Sequence, residues 1–290
     1  MDERKNSELK NSAAVPAENA GSASMPAAEA FDVEACLDAV KRPPRSRIRK
    51  IYIGRLVARC FIFAATVFIA FRWPSQLDIL KGWSFFKHLS VFHVLWGLWV
   101  FDMLLQLIPV GTRLALGSQK LFKMRFRPIK DAIDHINLRK YIIETTKAAY
   151  KVFIIFAAGI IALVVLRETN VIDDRILFLI TVAFYVCDLI CVLIWCPFRL
   201  ILHNRCCTTC RIFNWDHLMM FTPMLAMRGF FSQSLILMAF AVWLVWELCV
   251  MMFPERFWEH SNEALSCANC TDKLCTQYCQ KLRKSNNLAI

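Results

Sequence analysis

Five stretches of this chain are apolar over about 20 residues, the length a helix needs to cross a hydrocarbon core, and lipid tolerates little besides helices. They cover 53–71, 89–110, 151–167, 176–201 and 230–253. With 23 Phe and 9 Trp in 290 residues and 57% hydrophobic content, the chain carries more apolar surface than a soluble domain of that size buries. The expected fold is an all-α, polytopic integral membrane protein of about five transmembrane helices, with the lipid bilayer of the cell membrane as its solvent.

Charge supplies the orientation. Residues 1–40 hold eight acids against three bases, with no apolar periodicity to offset the entropy of ordering, and read as a disordered tail. From Lys41 the chain turns basic through Arg42, Arg45, Arg47, Arg49, Lys50, Arg55 and Arg59. Such a juxtamembrane segment, 41–59, suits anionic lipid or acts as a plain cytoplasmic retention signal. The connection 111–150 is also rich in Lys and Arg, whereas the turn between spans three and four holds Asp173 and Asp174. By the positive-inside rule the N-terminus is cytoplasmic. The net charge of +12 therefore writes topology rather than a phosphate groove, and nucleic acid is not an expected partner.

Within this frame the membrane domain is 41–253, followed by a tail, 254–290. In the 111–150 connection a helix over 128–150, with Ile129, Ile133, Ile136, Ile142 and Ile143 among its bases, is expected to rest on the inner leaflet. The connection 202–229 contains an apolar run, Trp215 to Met227, interrupted by Pro223. At 13 residues, roughly 20 Å as a helix, it is short for a span. It reads as interfacial or re-entrant at the cytoplasmic surface. Five crossings then put the tail outside; a sixth, through 213–229, would return it to the cytoplasm.

Ten of the 13 cysteines fall into three groups in the second half of the chain. Cys206, Cys207 and Cys210, with His203 and His217, form a C-C-x-x-C flanked by two histidines in the 202–229 loop. That spacing lets thiolates close on one tetrahedral ion or one redox disulfide, and Arg205 and Arg211 beside it favour the thiolate. Metal ligation, a redox-active thiol pair and packing are the alternatives. Cys267, Cys270, Cys275 and Cys279 follow as C-x2-C-x4-C-x3-C, which suits a zinc or an iron–sulfur cluster, with two disulfides as the competitor if the tail is outside. With one crossing between them the two groups are separate sites on opposite faces. Cys187 and Cys191, one helical turn apart, read as packing residues, with Cys196-Pro197 of the same group continuing toward the loop.

Ionisable residues inside spans are costly and mark pathways or partners. His93 and Asp102 in span two, Asp188 in span four and Glu247 in span five are the candidates. Helical rise pairs Asp102 with Asp188 near mid-membrane, and His93 with Glu247 nearer the outer surface. There is no P-loop, GxGxxG, GxSxG or HExxH. These features together point to a metal- or iron–sulfur-binding membrane protein in electron transfer or redox sensing, partnered by a quinone or a redox protein. The competing classes are an ion, proton or small-solute transporter with structural cysteines, and a non-catalytic assembly subunit.

Overall fold

A computed structural model describes residues 47–108, 122–129, 133–202 and 210–266. The expected 1–40 tail, His203, Cys206, Cys207, Cys267, Cys270, Cys275 and Cys279 lie outside those residues. The described chain is helical, with no strand and only two isolated bridges, as an all-α membrane protein requires. The α-helices are α1 (Arg47–Arg72), α2 (Phe92–Leu107), α3 (His135–Glu168), α4 (Asp174–Leu193), α5 (Arg199–Leu202), α6 (Asp216–Phe221) and α7 (Phe230–Met252). Four of them, α1, α3, α4 and α7, are long and apolar enough to cross a membrane. Their outward faces carry Phe61 and Phe71 on α1, Ile154 and Ile161 on α3, and Leu237 and Met251 on α7, all exposed. In a bilayer that apolar belt is covered by lipid.

Two elements differ from expectation. The inner-leaflet helix and span three are one helix, because nothing between residues 135 and 168 breaks it; Asp134 caps its start by accepting from the backbone N–H groups of Ile136 and Asn137. At 34 residues α3 is about 51 Å long, so about two fifths extends beyond a 30 Å hydrocarbon core. Span four ends early. Its helix stops at Leu193, and Cys196-Pro197 separates it from the short α5, since proline cannot continue the hydrogen-bond ladder.

The larger difference is the 212–229 segment. Instead of lying on a surface it threads the bundle core as a 3-10 turn (Ile212–Trp215), α6, and a second 3-10 turn (Thr222–Ala226). Phe221, Met224 and Met227 are fully buried. Phe221 packs 5.1 Å from Trp99 of α2, which also meets Phe178 of α4 and Phe231 of α7, so one aromatic knot joins four elements. A broken backbone at this depth needs partners. The carbonyl of Met227 accepts from Ser232 Oγ and Gln233 Nε2, and the carbonyl of Met219 from Thr222 Oγ1.

The segment arrives at Gly82, in the α1–α2 connection, where Gly82 N–H donates to Arg228 O and Phe230 N–H donates to Gly82 O. From there α7 runs 23 residues, about 35 Å, back to the opposite end. At that end Glu263 N–H donates to Arg127 O, Pro128 bridges Asn262, and Trp258 stacks near Tyr141 of α3. The chain after α7 therefore leaves from the end that carries the start of α3, not from the end reached by alternating five spans. The main chain makes six passes along the bundle, the fifth being the broken one.

Candidate functional site

Where α1, α2, α4 and α6 meet, charged side chains are linked in series. Arg59 of α1, 7% exposed, donates from Nη1 to Asp188 Oδ2 at 2.6 Å and to Tyr185 O at 2.8 Å. Its Nη2 lies 3.3 Å from Asp102 Oδ2, and the guanidinium covers the Tyr185 ring at 3.9 Å. Asp102 also faces His217 Nε2 at 3.7 Å. His217 Nδ1 in turn lies 3.0 Å from Asp216 Oδ1, and Asp216 Oδ2 accepts from Gln106 Nε2 at 3.0 Å. The order is Asp188, Arg59, Asp102, His217, Asp216.

Geometry explains why each residue is needed. A planar guanidinium with five donors serves two carboxylates, a carbonyl and an aromatic face at once, which an ammonium does not. Removing any one partner leaves a buried charge uncompensated. His217 has a carboxylate beside each ring nitrogen, so a proton on either nitrogen meets an acceptor. Chemically the series can hold a proton at His217 and pass it between Asp216 and Asp102 by a change of tautomer.

The expected pairing of Asp102 with Asp188 is thus made through an intervening cation. His93 and Glu247 are not a pair. His93, at the start of α2, donates from Nε2 to Phe85 O at 2.8 Å and accepts the Ser90 N–H at Nδ1, holding the α1–α2 connection. Glu247 lies seventeen residues after Phe230 on α7, about 26 Å further along. It accepts from Arg211 Nη2 at 2.6 Å and Trp215 Nε1 at 2.7 Å, which ties the start of the broken pass to α7.

Of the expected metal ligands, only Cys210 and His217 are described. Cys210 lies beside Arg211 at the tail end of the bundle, where it shares a small cleft with Tyr141 and Phe257. His217 is instead engaged by the two carboxylates, so the structure does not bring these two together. Among the described residues no three His, Cys, Asp or Glu side chains converge as a metal site. Sequence reasoning missed Arg59 and Asp216. Arg59 was legible in principle, since it falls within 53–71 and an arginine inside a span needs a buried partner. Asp216 stood in an apolar run, the same signal in a segment not read as a span.

Comparison with protein-family models, curated proteins and solved structures gives no match. The class is defined by the fold itself: an all-α protein with four helices able to cross a membrane and a buried ion-pair series between its helices.

Proposed function

We propose that this is a cell-membrane redox protein in which the cysteines of 203–210 and 267–279 bind zinc or an iron–sulfur cluster on one face of the membrane, for electron transfer or redox sensing. One observation carries the reading. Cys210, which closes the first cysteine group, and Phe257, which leads toward the second, line the same cleft at one end of the bundle. The described residues that lead into the two groups thus share one end, which favours one face over the separate sites on opposite faces expected from five spans. The bases Arg49, Lys50, Arg139, Lys140 and Lys147 belong to this end, while at the other Asp78, Asp173 and Asp174 are matched by Lys81, Arg167 and Arg175, so the excess of bases is on this side. By the positive-inside rule that end is cytoplasmic, as is the N-terminus, and a reducing compartment favours thiolate ligation over disulfides.

Metal analysis and visible absorption of anaerobically purified protein test the proposal. The expected result for a redox centre is a brown protein with iron and sulfide, bleached by Cys267→Ser with Cys270→Ser. Colourless protein with stoichiometric zinc reduces the centre to a structural staple, and protein without metal sinks the reading. The ion-pair series supports a second function, transport of protons or small ions, with Asp102 and Asp188 on the route. Proton flux in vesicles that survives Asp102→Asn would dispose of it.

A further inference from the structure

The stripe of α3 that faces lipid does not stop where the hydrocarbon does. Tyr150, Ile154 and Ile161 are exposed along it, and at about 100° per residue Ile136, Arg139, Lys140, Ile143 and Lys147 all fall within about 60° of the same line, exposed as well. Leu138 and Ala149, on the opposite side, are buried against the bundle. His135 and Glu144 edge the surface, and Glu144 is its single acid. Among the described residues no carboxylate pairs with Arg139, Lys140 or Lys147, so three cations stand free on one face.

Depth decides what those cations meet. Arg167, paired with Asp174, marks the far end of the span, and a core of about 30 Å counted back from it takes roughly 20 residues and closes at Ala148. Lys147 then lies in the headgroup layer, which is about 5–8 Å deep. Lys151, one turn inside, reaches the same layer, because a helical side chain leans toward the N-terminus and a lysine stem tolerates apolar surroundings. Arg139 and Lys140 stand roughly 10–12 Å beyond Lys147 along the axis, past an ordinary headgroup. We propose that this face binds an anionic phospholipid whose headgroup carries more than one phosphate, with the phosphodiester at Lys147 and Lys151 and the outer phosphates at Arg139 and Lys140. The acyl chains lie along Tyr150 and Ile154, and Arg139 supplies the planar fork that suits phosphate. The site is separate from the 41–59 flank and from both cysteine groups.

In the test, full-length protein in a neutral detergent is titrated with phosphatidylinositol bisphosphate, phosphatidylserine or phosphatidylcholine, and bound lipid is counted by native mass spectrometry. The expected result is half-saturation by the bisphosphate at a concentration at least fivefold below that of phosphatidylserine. In Arg139→Gln with Lys140→Gln that concentration should rise at least fivefold, while phosphatidylserine binding stays within twofold. Both bases are exposed, so the variant keeps its fold, which an unchanged melting temperature checks. Equal retention of the two anionic lipids, or unchanged bisphosphate binding by that variant, overturns the proposal. Loss of binding only in Arg49→Gln with Lys50→Gln moves the site to the α1 flank and overturns it too. Soluble inositol trisphosphate that competes as well as the lipid binds marks a free phosphate ligand and refutes docking of a membrane lipid. Cys267→Ser with Cys270→Ser is expected to leave lipid binding unchanged, so failure of the metal reading and failure of this one are told apart.

Discussion

Arg59 and Gly229 show how single residues set this fold. Arg59→Ala leaves Asp188 without its cation and Asp102 with His217 alone, and is expected to cost about 3–5 kcal/mol in detergent unfolding. Arg59→Lys recovers part of that, because one ammonium does not reach both carboxylates with the same geometry. A double-mutant cycle with Asp188→Asn reads the coupling directly, and additivity would show that the contact contributes nothing. At Gly229 a Cβ would lie 2.0 Å from the carbonyl oxygen of Leu80, which is backbone and cannot swing aside. Gly229→Ala is therefore expected to destabilise by about 3 kcal/mol or more, at the upper end for one substitution, whereas Gly97→Ala, facing open space, does not. Asp102 and Asp188 were legible because charge inside an apolar run is conspicuous. Their cation was harder to see, because Arg59, although inside 53–71, continues a basic flank in the sequence and becomes a buried partner only when α1 packs on α4.

At the scale of elements, helix starts follow local rules that a sequence displays, and broken elements do not. Asp134 is an N-cap whose carboxyl is held below the usual carboxylate range by the backbone N–H of Asn137, with further bonds from that residue's side chain and from Ile136. A depressed pKa contributes stability that is full above the unfolded value, about 3.9, and lost as pH falls through the folded one. Protection factors at the Ile136 and Asn137 amides, taken against intrinsic exchange at each pH, should therefore be highest at neutral pH and fall under acid. Asp134→Ala should abolish the protection at all pH values, and Asp134→Asn should keep it without the pH dependence. The 212–229 pass obeys no such local rule. Thirteen apolar residues around a proline fail the length test for a span, yet neighbours that take up the freed carbonyls let the segment run at bundle depth.

For the whole molecule, six passes place the chain after α7 at the end where α3 begins. Cysteines introduced at Lys123 and His260 are expected to react with an impermeant maleimide from one side of the membrane, and one at Lys81 from the other, each identified by peptide mass. Opposite labelling of Lys123→Cys and His260→Cys would overturn the six-pass arrangement. The amino-acid order alone was sufficient for the all-α class, for four of the five expected spans and for Asp102 and Asp188, because partition into lipid depends on local composition summed over about 20 residues; the remaining expected span, 89–110, holds only the 16-residue α2. Only packing decided that the fifth pass exists, that Asp102 and Asp188 share Arg59, and that His217 is brought beside Asp102. Each of those depends on contacts between residues distant in the chain or on a helix breaking where it does, and neither is a property of any one window of sequence.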